Sequence, residues 1–137
     1  MKTLFHVSLP CEDIAQTIDF YINTLGCEMG RSVQHWADIN LFGHQLTFTE
    51  AGKFSFENPN YLFEGKVLPS FHLGVIVNLE TWSDLYKKMS VAECEIVHQK
   101  TFLNAKKGEH LSFFVKDPDG YMLEFKSFKK NNEIFQK

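Results

Sequence analysis

Cysteine is scarce and unpatterned: Cys11, Cys27 and Cys94 are the three in 137 residues, with no CxxC pair among them. Such an odd set argues against a disulfide scaffold and fits a reducing compartment. Long apolar runs are missing as well. None approaches the length of a membrane-spanning helix, and no N-terminal stretch has the form of a secretory signal. A cytoplasmic protein without a membrane partner is expected. Nor is one sign of charge concentrated: 14 Lys and Arg stand against 17 Asp and Glu. The Lys126, Lys129, Lys130 cluster reads as a solvated end of the chain. Nucleic acid is therefore not an expected partner. What the chain does have is apolar residues, 44% of the total, and 14 phenylalanines. That supplies a packed interior and argues against disorder. At this length the expectation is one compact domain, residues 1–137, built of two half-size modules.

A short string occurs twice. Phe5-His6-Val7-Ser8-Leu9 and Phe71-His72-Leu73-Gly74-Val75 share an alternating pattern, with histidine at the same place. Period two predicts a strand over 3–9, stopped by Pro10, which has no amide to continue a ladder. Ile14, Ile18, Tyr21, Ile22 and Leu25 then follow helical spacing over 12–25, with Gly26 as the stop. Strands are predicted at about 27–33, 35–41 and 44–50, the last two joined by a tight turn at Phe42-Gly43. The order then repeats, with a strand over 71–77 and a helix over 79–90 capped by Asn78. Strands at about 94–100, 110–116 and 121–127 complete it, the last pair joined by the turn Asp117-Pro118-Asp119-Gly120. Two modules, about 3–50 and 70–128, are thus joined by residues 51–69. There the periodicity lapses into a linker punctuated by glycine, asparagine and proline, whose Phe54, Phe56, Tyr61 and Phe63 would pack over the core or roof a pocket.

Two histidines and a carboxylate, each on a strand, are raw material for a divalent metal site with open positions. His6 and Ser8 share one strand face; so do Met122, Glu124 and Lys126. The alternate residues are apolar and belong under the helices, which puts His6, His72 and Glu124 on the polar side. A buried carboxylate needs a cation or strong donors, and Lys126 is the non-metal alternative for Glu124. His110, on a second-module strand, is a candidate acid or base, because an imidazole titrates near neutrality. Trp36, Gln45, Thr47 and Tyr121 are candidate pocket residues. His44 is expected to face away from the site, and His35 and His98 carry no signal.

The strings quoted above, with Asp19-Phe20-Tyr21 leading to Leu25-Gly26 and Phe113 through Phe125 ending in DPDG-x-x-x-E, resemble the vicinal oxygen chelate superfamily. It includes glyoxalases, extradiol dioxygenases, fosfomycin-resistance enzymes and bleomycin-resistance proteins. The resemblance runs from about residue 3 to 128. It implies an α+β fold of two βαβββ modules, forming a curved open mixed sheet around a cavity with helices outside. By position it implies His6, His72 and Glu124 as ligands of a divalent metal (Fe, Zn, Ni, Mn or Co), a small-molecule substrate and a homodimer. Thr47 stands where glyoxalase I places a fourth ligand, a glutamate; this departure favours three ligands. The implied activity is that of a metal-dependent lyase, isomerase or dioxygenase acting on adjacent oxygens. A fosfomycin-resistance-type transferase and a non-catalytic, antibiotic-binding protein are the alternatives.

Overall fold

A computed structural model describes residues 1–55 and 57–136; Phe56, one of the linker aromatics, lies outside the described residues. The chain divides into two compact units. The first comprises Met1–Phe56 with Asp117–Gly120; the second comprises Glu57–Lys116 with Tyr121–Lys137. Each carries a four-stranded mixed sheet, and the two follow the same plan, as expected of an α+β, two-module fold.

In the first unit β1 (His6–Cys11) is followed by α1 (Ile14–Ile18), a π-helical segment (Asp19–Thr24), β2 (Glu28–Val33), β3 (Trp36–Leu41) and β4 (His44–Glu50). The sheet order is β1-β4-β3-β2, with β1 parallel to β4. Pro10 does not end β1, which runs on to Cys11. A proline is tolerated there because β1 is an edge strand, where one amide needs no sheet partner. The helix starts later than its pattern suggested. Asp13 is its cap rather than part of its first turn, accepting a hydrogen bond from the Gln16 amide at 3.0 Å. Its apolar side brings Ile14, Phe20, Tyr21 and Leu25 into a core with Leu9, Ile39, Leu46 and Phe48. Phe42 and Gly43 both have positive φ, 51° and 89°, the conformation of a two-residue hairpin turn. The Asp117–Gly120 turn is anchored in this unit: Tyr21 donates its buried hydroxyl to Asp117 at 2.9 Å, and the Glu12 amide donates to Asp119 at 2.8 Å.

The second unit holds β7 (Leu73–Ile76), α2 (Leu79–Val91), β8 (Ile96–Phe102), β9 (His110–Lys116) and β10 (Met122–Phe128), in the order β7-β10-β9-β8. Asn78 caps α2 through the Thr81 amide at 2.8 Å. The buried stripe Trp82, Leu85 and Met89 faces one side of the sheet. Trp82 packs on Phe113 with ring centroids 5.3 Å apart and donates to the Phe125 carbonyl at 2.9 Å. Burying each such side chain contributes about 2 kcal/mol.

The linker contains structure that the periodicity did not indicate. β5 (Asn60–Phe63) and β6 (Lys66–Pro69) form a hairpin in the second unit. Glu64 and Gly65 are its two turn residues, with φ of 46° and 76°. Its Leu68 is buried in a cluster with Phe102 and Phe114. In register these two align with His110 and Glu124. The hairpin therefore packs on the sheet face opposite α2, the face that carries Glu124.

Candidate functional site

Strand parity sets up one face of the second unit. Glu124 lies opposite Phe114, Lys126 opposite Ser112 and Phe128 opposite His110 across β10 and β9, so all six side chains share that face. Leu123 and Phe125, on the other, are buried in the core. β7 approaches β10 so closely that a methyl group at Gly74 would meet the Glu124 carbonyl oxygen at 1.7 Å. Glycine is required there, and it brings the start of β7 against Glu124. His72 is not within the strand as predicted; it is the residue just before it.

Glu124 is 7% exposed. Its Oε1 accepts the Ser112 hydroxyl at 2.6 Å; its Oε2 lies 3.2 Å from His72 Nε2 and 3.3 Å from Lys126 Nζ. Burial alone would push the carboxyl up. The hydrogen bonds from His72 and Ser112 and the Lys126 charge outweigh it and hold Glu124 below the usual carboxylate range. The hydrogen bond to Glu124 raises the His72 imidazole above its ordinary value, against the opposing effect of burial.

This pair also bears on the implied metal. His72 Nδ1 is 2.9 Å from the Pro69 carbonyl. A carbonyl only accepts, so Nδ1 carries the proton, and a neutral ring presents its lone pair at Nε2. That lone pair then faces a carboxylate oxygen, and two acceptors require a proton or a cation between them. A nitrogen and an oxygen donor, with the imidazole braced through its second nitrogen by a backbone carbonyl, fit a divalent ion. Lys126 would have to leave the same oxygen. Among the described residues, no three His, Cys, Asp or Glu side chains gather as a metal-binding group.

His110 is 9% exposed. It is stacked between Phe128 at 4.9 Å and Phe102 at 5.6 Å, with Nδ1 2.8 Å from the Gly108 carbonyl. It borders a cavity of about 320 Å³ that neither His72 nor Glu124 lines. Tyr121 is buried just before β10, in alternation with Leu123 and Phe125 on the packed side.

In the first unit His6 is exposed at the start of β1, paired in register with Gln45. Ser8 and Asp38 both stand opposite Thr47. Thr47 donates to Asp38 at 2.6 Å, and Arg31 reaches the same carboxylate at 3.1 Å. The Thr47 hydrogen bond and the Arg31 guanidinium hold Asp38 below the usual range, against its burial. Trp36 lies beneath the Arg31 guanidinium at 5.7 Å. Gln45, Arg31 and Asp38 line a second cavity of about 280 Å³. His44 accepts the Phe5 amide at 3.1 Å, a structural bond.

Residues 3–125 match the family model described as the Glyoxalase/Bleomycin resistance protein/Dioxygenase superfamily. The chain belongs to that superfamily. A glyoxalase/bleomycin resistance protein/dioxygenase from Alicyclobacillus acidocaldarius superposes with a TM-score of 0.81 at 24% identity, covering 97% of this chain and 96% of that one. A genomically encoded fosfomycin resistance protein from Listeria monocytogenes gives 0.72 at 16% identity over 97% and 98%. A lactoylglutathione lyase from Agrobacterium tumefaciens gives 0.66 at 13% over 100% and 98%. These likenesses establish the fold. No curated protein matches the sequence. Members of the superfamily generally depend on a metal, bind small molecules and are often dimeric.

Sequence reasoning passed over Ser112 as a partner of Glu124 and Arg31 as a partner of Asp38. Both pairings depend on cross-strand register, which alternation within one strand does not reveal. The pairing of each strand's apolar residues with its neighbour's would have been the signal.

Proposed function

We propose that this protein is a metal-dependent enzyme acting on a small molecule with two adjacent oxygens. The observation that carries the reading is the convergence of His72 Nε2 and Glu124 Oε2 at 3.2 Å, each braced from behind by another group. His72 and Glu124 are the proposed donors, with His6 as the third. The ion is one of Fe, Zn, Ni, Mn or Co. When bound, it would supply a Lewis acid and a template for the oxygen pair. Ser112 holds the carboxylate, and the Pro69 carbonyl holds the imidazole in the tautomer that offers Nε2. Lys126, once freed from Glu124, is an ammonium able to receive an anionic oxygen. His110, with Nδ1 donating to the Gly108 carbonyl, keeps its lone pair at Nε2 and is the proposed base for moving a substrate proton.

A second reading is supported by Thr47. Its hydroxyl is engaged by Asp38 at 2.6 Å, so a three-donor set without a fourth carboxylate is favoured. That is the pattern of a fosfomycin-resistance-type transferase. A homodimer in the cytoplasm is also proposed; three cysteines without CxxC spacing fit a reducing compartment.

The deciding experiment is metal analysis of the purified protein beside His6→Ala, His72→Ala and Glu124→Ala. One equivalent of tightly held metal in the wild type, lost in each variant, supports the reading. Equal metal content in all four would leave a non-catalytic binding protein instead. Oxygen uptake with catechols after anaerobic Fe(II) loading then separates a dioxygenase from lyase, isomerase or transferase chemistry.

A further inference from the structure

The sheet of the second unit runs one row past the helix that covers it. On the α2 side, β10 alternates Leu123, Phe125 and Ser127, and β9 alternates Val115, Phe113 and Leu111. Trp82 packs on Phe113 and donates to the Phe125 carbonyl. In the next row Thr101, Leu111 and Ser127 stand side by side in register on β8, β9 and β10. The cavity of about 320 Å³ beside His110 lies at this row, lined by Thr101, Leu111 and Ser127 and by the Glu109–Lys129 ion pair. The helix contributes only its first residue to the wall, Leu79, which is 58% exposed.

Ser127 breaks an apolar alternation at a buried place. It is 4% exposed, yet its hydroxyl makes no hydrogen bond among the described residues. No side-chain nitrogen or oxygen among them is sealed from solvent without a partner, so this hydroxyl opens into the cavity that Ser127 lines. The Thr101 hydroxyl is likewise unpartnered among the described residues. The charges beside the cavity are, by contrast, engaged. Glu109 accepts from Lys129 at 3.0 Å with one oxygen and from the Ala105 amide at 2.6 Å with the other. The cavity thus presents apolar walls, two open hydroxyls and no unpaired charge.

We propose that this cavity is a second ligand site, separate from the His72–Glu124 donors, for a neutral and mainly apolar molecule about the size of one aromatic ring, held by a hydrogen bond to Ser127. Its volume lies at the lower end of small-molecule pockets, which begin at about 300 Å³. A buried hydroxyl without a partner gains by receiving one. A charged ligand would lose its hydration and meet an ion pair that is already satisfied. Thr101 and Ser127 are two strand spacings apart, about 10 Å, so a one-ring ligand bonded to Ser127 lies over Leu111 between them. The inference does not depend on the chelate reading.

The test is titration of isotope-labelled protein with p-cresol, with toluene, which lacks the hydroxyl, and with p-toluate, which is anionic, followed by amide chemical shifts. p-Cresol should saturate at millimolar concentration or below, moving the amides of Thr101, Leu111 and Ser127 and leaving those of His72 and Glu124 in place. p-Toluate should not move that row. Ser127→Ala keeps the space and removes the hydroxyl. It should bind p-cresol about five- to tenfold more weakly and toluene no more weakly than the wild type. Ser127→Leu continues the Leu123, Phe125 alternation, fills the space and should bind neither. No shift in the row up to the solubility limit of p-cresol means that the cavity holds water alone, and overturns the proposal. Equal p-cresol affinity in the wild type and Ser127→Ala, shifts that persist in Ser127→Leu, or binding of p-toluate as tight as that of p-cresol overturn it as well.

Discussion

His72 offers Nε2 to Glu124 Oε2 at 3.2 Å while its Nδ1 is held 2.9 Å from the Pro69 carbonyl. With Nδ1 fixed as a donor, the short contact at Nε2 exists in one of two ways. Either a second proton makes His72 an imidazolium, or a cation takes the proton's place. The same geometry is thus an ion pair without metal and a donor pair with it, and the two states respond oppositely to pH.

In the metal-free protein the stability contributed by this pair is expected to form a plateau. The Glu124 hydrogen bond raises His72, so its contribution is complete below the ordinary imidazole value of about 6.5 and is lost as pH rises through the raised value. Glu124 is lowered, so its contribution is complete above about 4.3 and is lost as pH falls through the lowered value. Both are present in full between those limits. Urea denaturation of metal-stripped protein from pH 4 to 9 should show stability declining above the plateau. In Glu124→Gln the alkaline decline should flatten, and an unchanged slope would refute the coupling. Metal affinity should instead increase with pH as the competing proton is lost.

Ser112 is fully buried and donates to Glu124 at 2.6 Å. In Ser112→Ala the carboxylate keeps its charge and loses a donor in a desolvated place. The expected cost is about 1–3 kcal/mol, with the Glu124 carboxyl moving upward. Because Ser112 also fixes the orientation of a proposed donor, cation affinity should fall by about 10–100-fold. Denaturation and a competitive chelator titration on the same variant read the two effects separately.

Much of this was legible in the chain. The repeated Phe-His-x-x-x string pointed to His72, which lies 3.2 Å from Glu124, and the alternation Met122-Glu124-Lys126 against Leu123-Phe125 assigned the two faces of β10. The Asn78 cap and the Phe42-Gly43 turn follow from the local chemistry of those residues. The hairpin at 60–69 was hidden for a physical reason. Its strands are four residues each, too short for alternation to register, and its turn uses Glu64 in a left-handed conformation that asparagine or glycine usually occupies. Pro10 misled because whether a proline ends a strand depends on its being at a sheet edge, a tertiary fact. The Ser112 pairing with Glu124 depends on cross-strand register, which no single strand's pattern contains.

Gly74 illustrates a requirement of close approach rather than of backbone freedom. Its Cβ would lie 1.7 Å from the Glu124 carbonyl oxygen and 2.9 Å from the Glu124 amide nitrogen. These are backbone atoms of a central strand and cannot move aside alone. Gly74→Ala is expected to force β7 away from β10, at a cost of about 3 kcal/mol or more, and to draw His72 away from Glu124. Gly43→Ala is the contrasting case: φ is 89° with nothing within 4 Å of the added methyl, so only the left-handed penalty of about 1–2 kcal/mol applies. Denaturation midpoints of the two variants should rank in that order, and equal midpoints would mean that β7 is free to shift.

The hairpin is held to the second sheet by two kinds of contact whose worth should differ. The Glu64 carboxylate accepts the Leu103 amide with both oxygens at 3.1 Å, at an exposed edge. Leu68 is 3% exposed within the Phe102–Phe114 cluster, while Phe63 stacks on Phe102 at 5.4 Å. Solvent competes for the Glu64 bonds, so Glu64→Ala should cost about 0.5–1.5 kcal/mol globally and chiefly speed hydrogen exchange at Leu103. Leu68→Ala opens a cavity in packed aromatic surroundings and should cost about 2–5 kcal/mol. The difference reaches the site because β6 ends at Pro69, whose carbonyl orients His72. Loosening the base of the hairpin should therefore weaken cation binding, and releasing its tip should not. Chelator titrations of the two variants, alongside exchange rates at Leu103, test the division; equal metal affinities in Leu68→Ala and Glu64→Ala would show that the Pro69 carbonyl keeps its place without the packing beneath it.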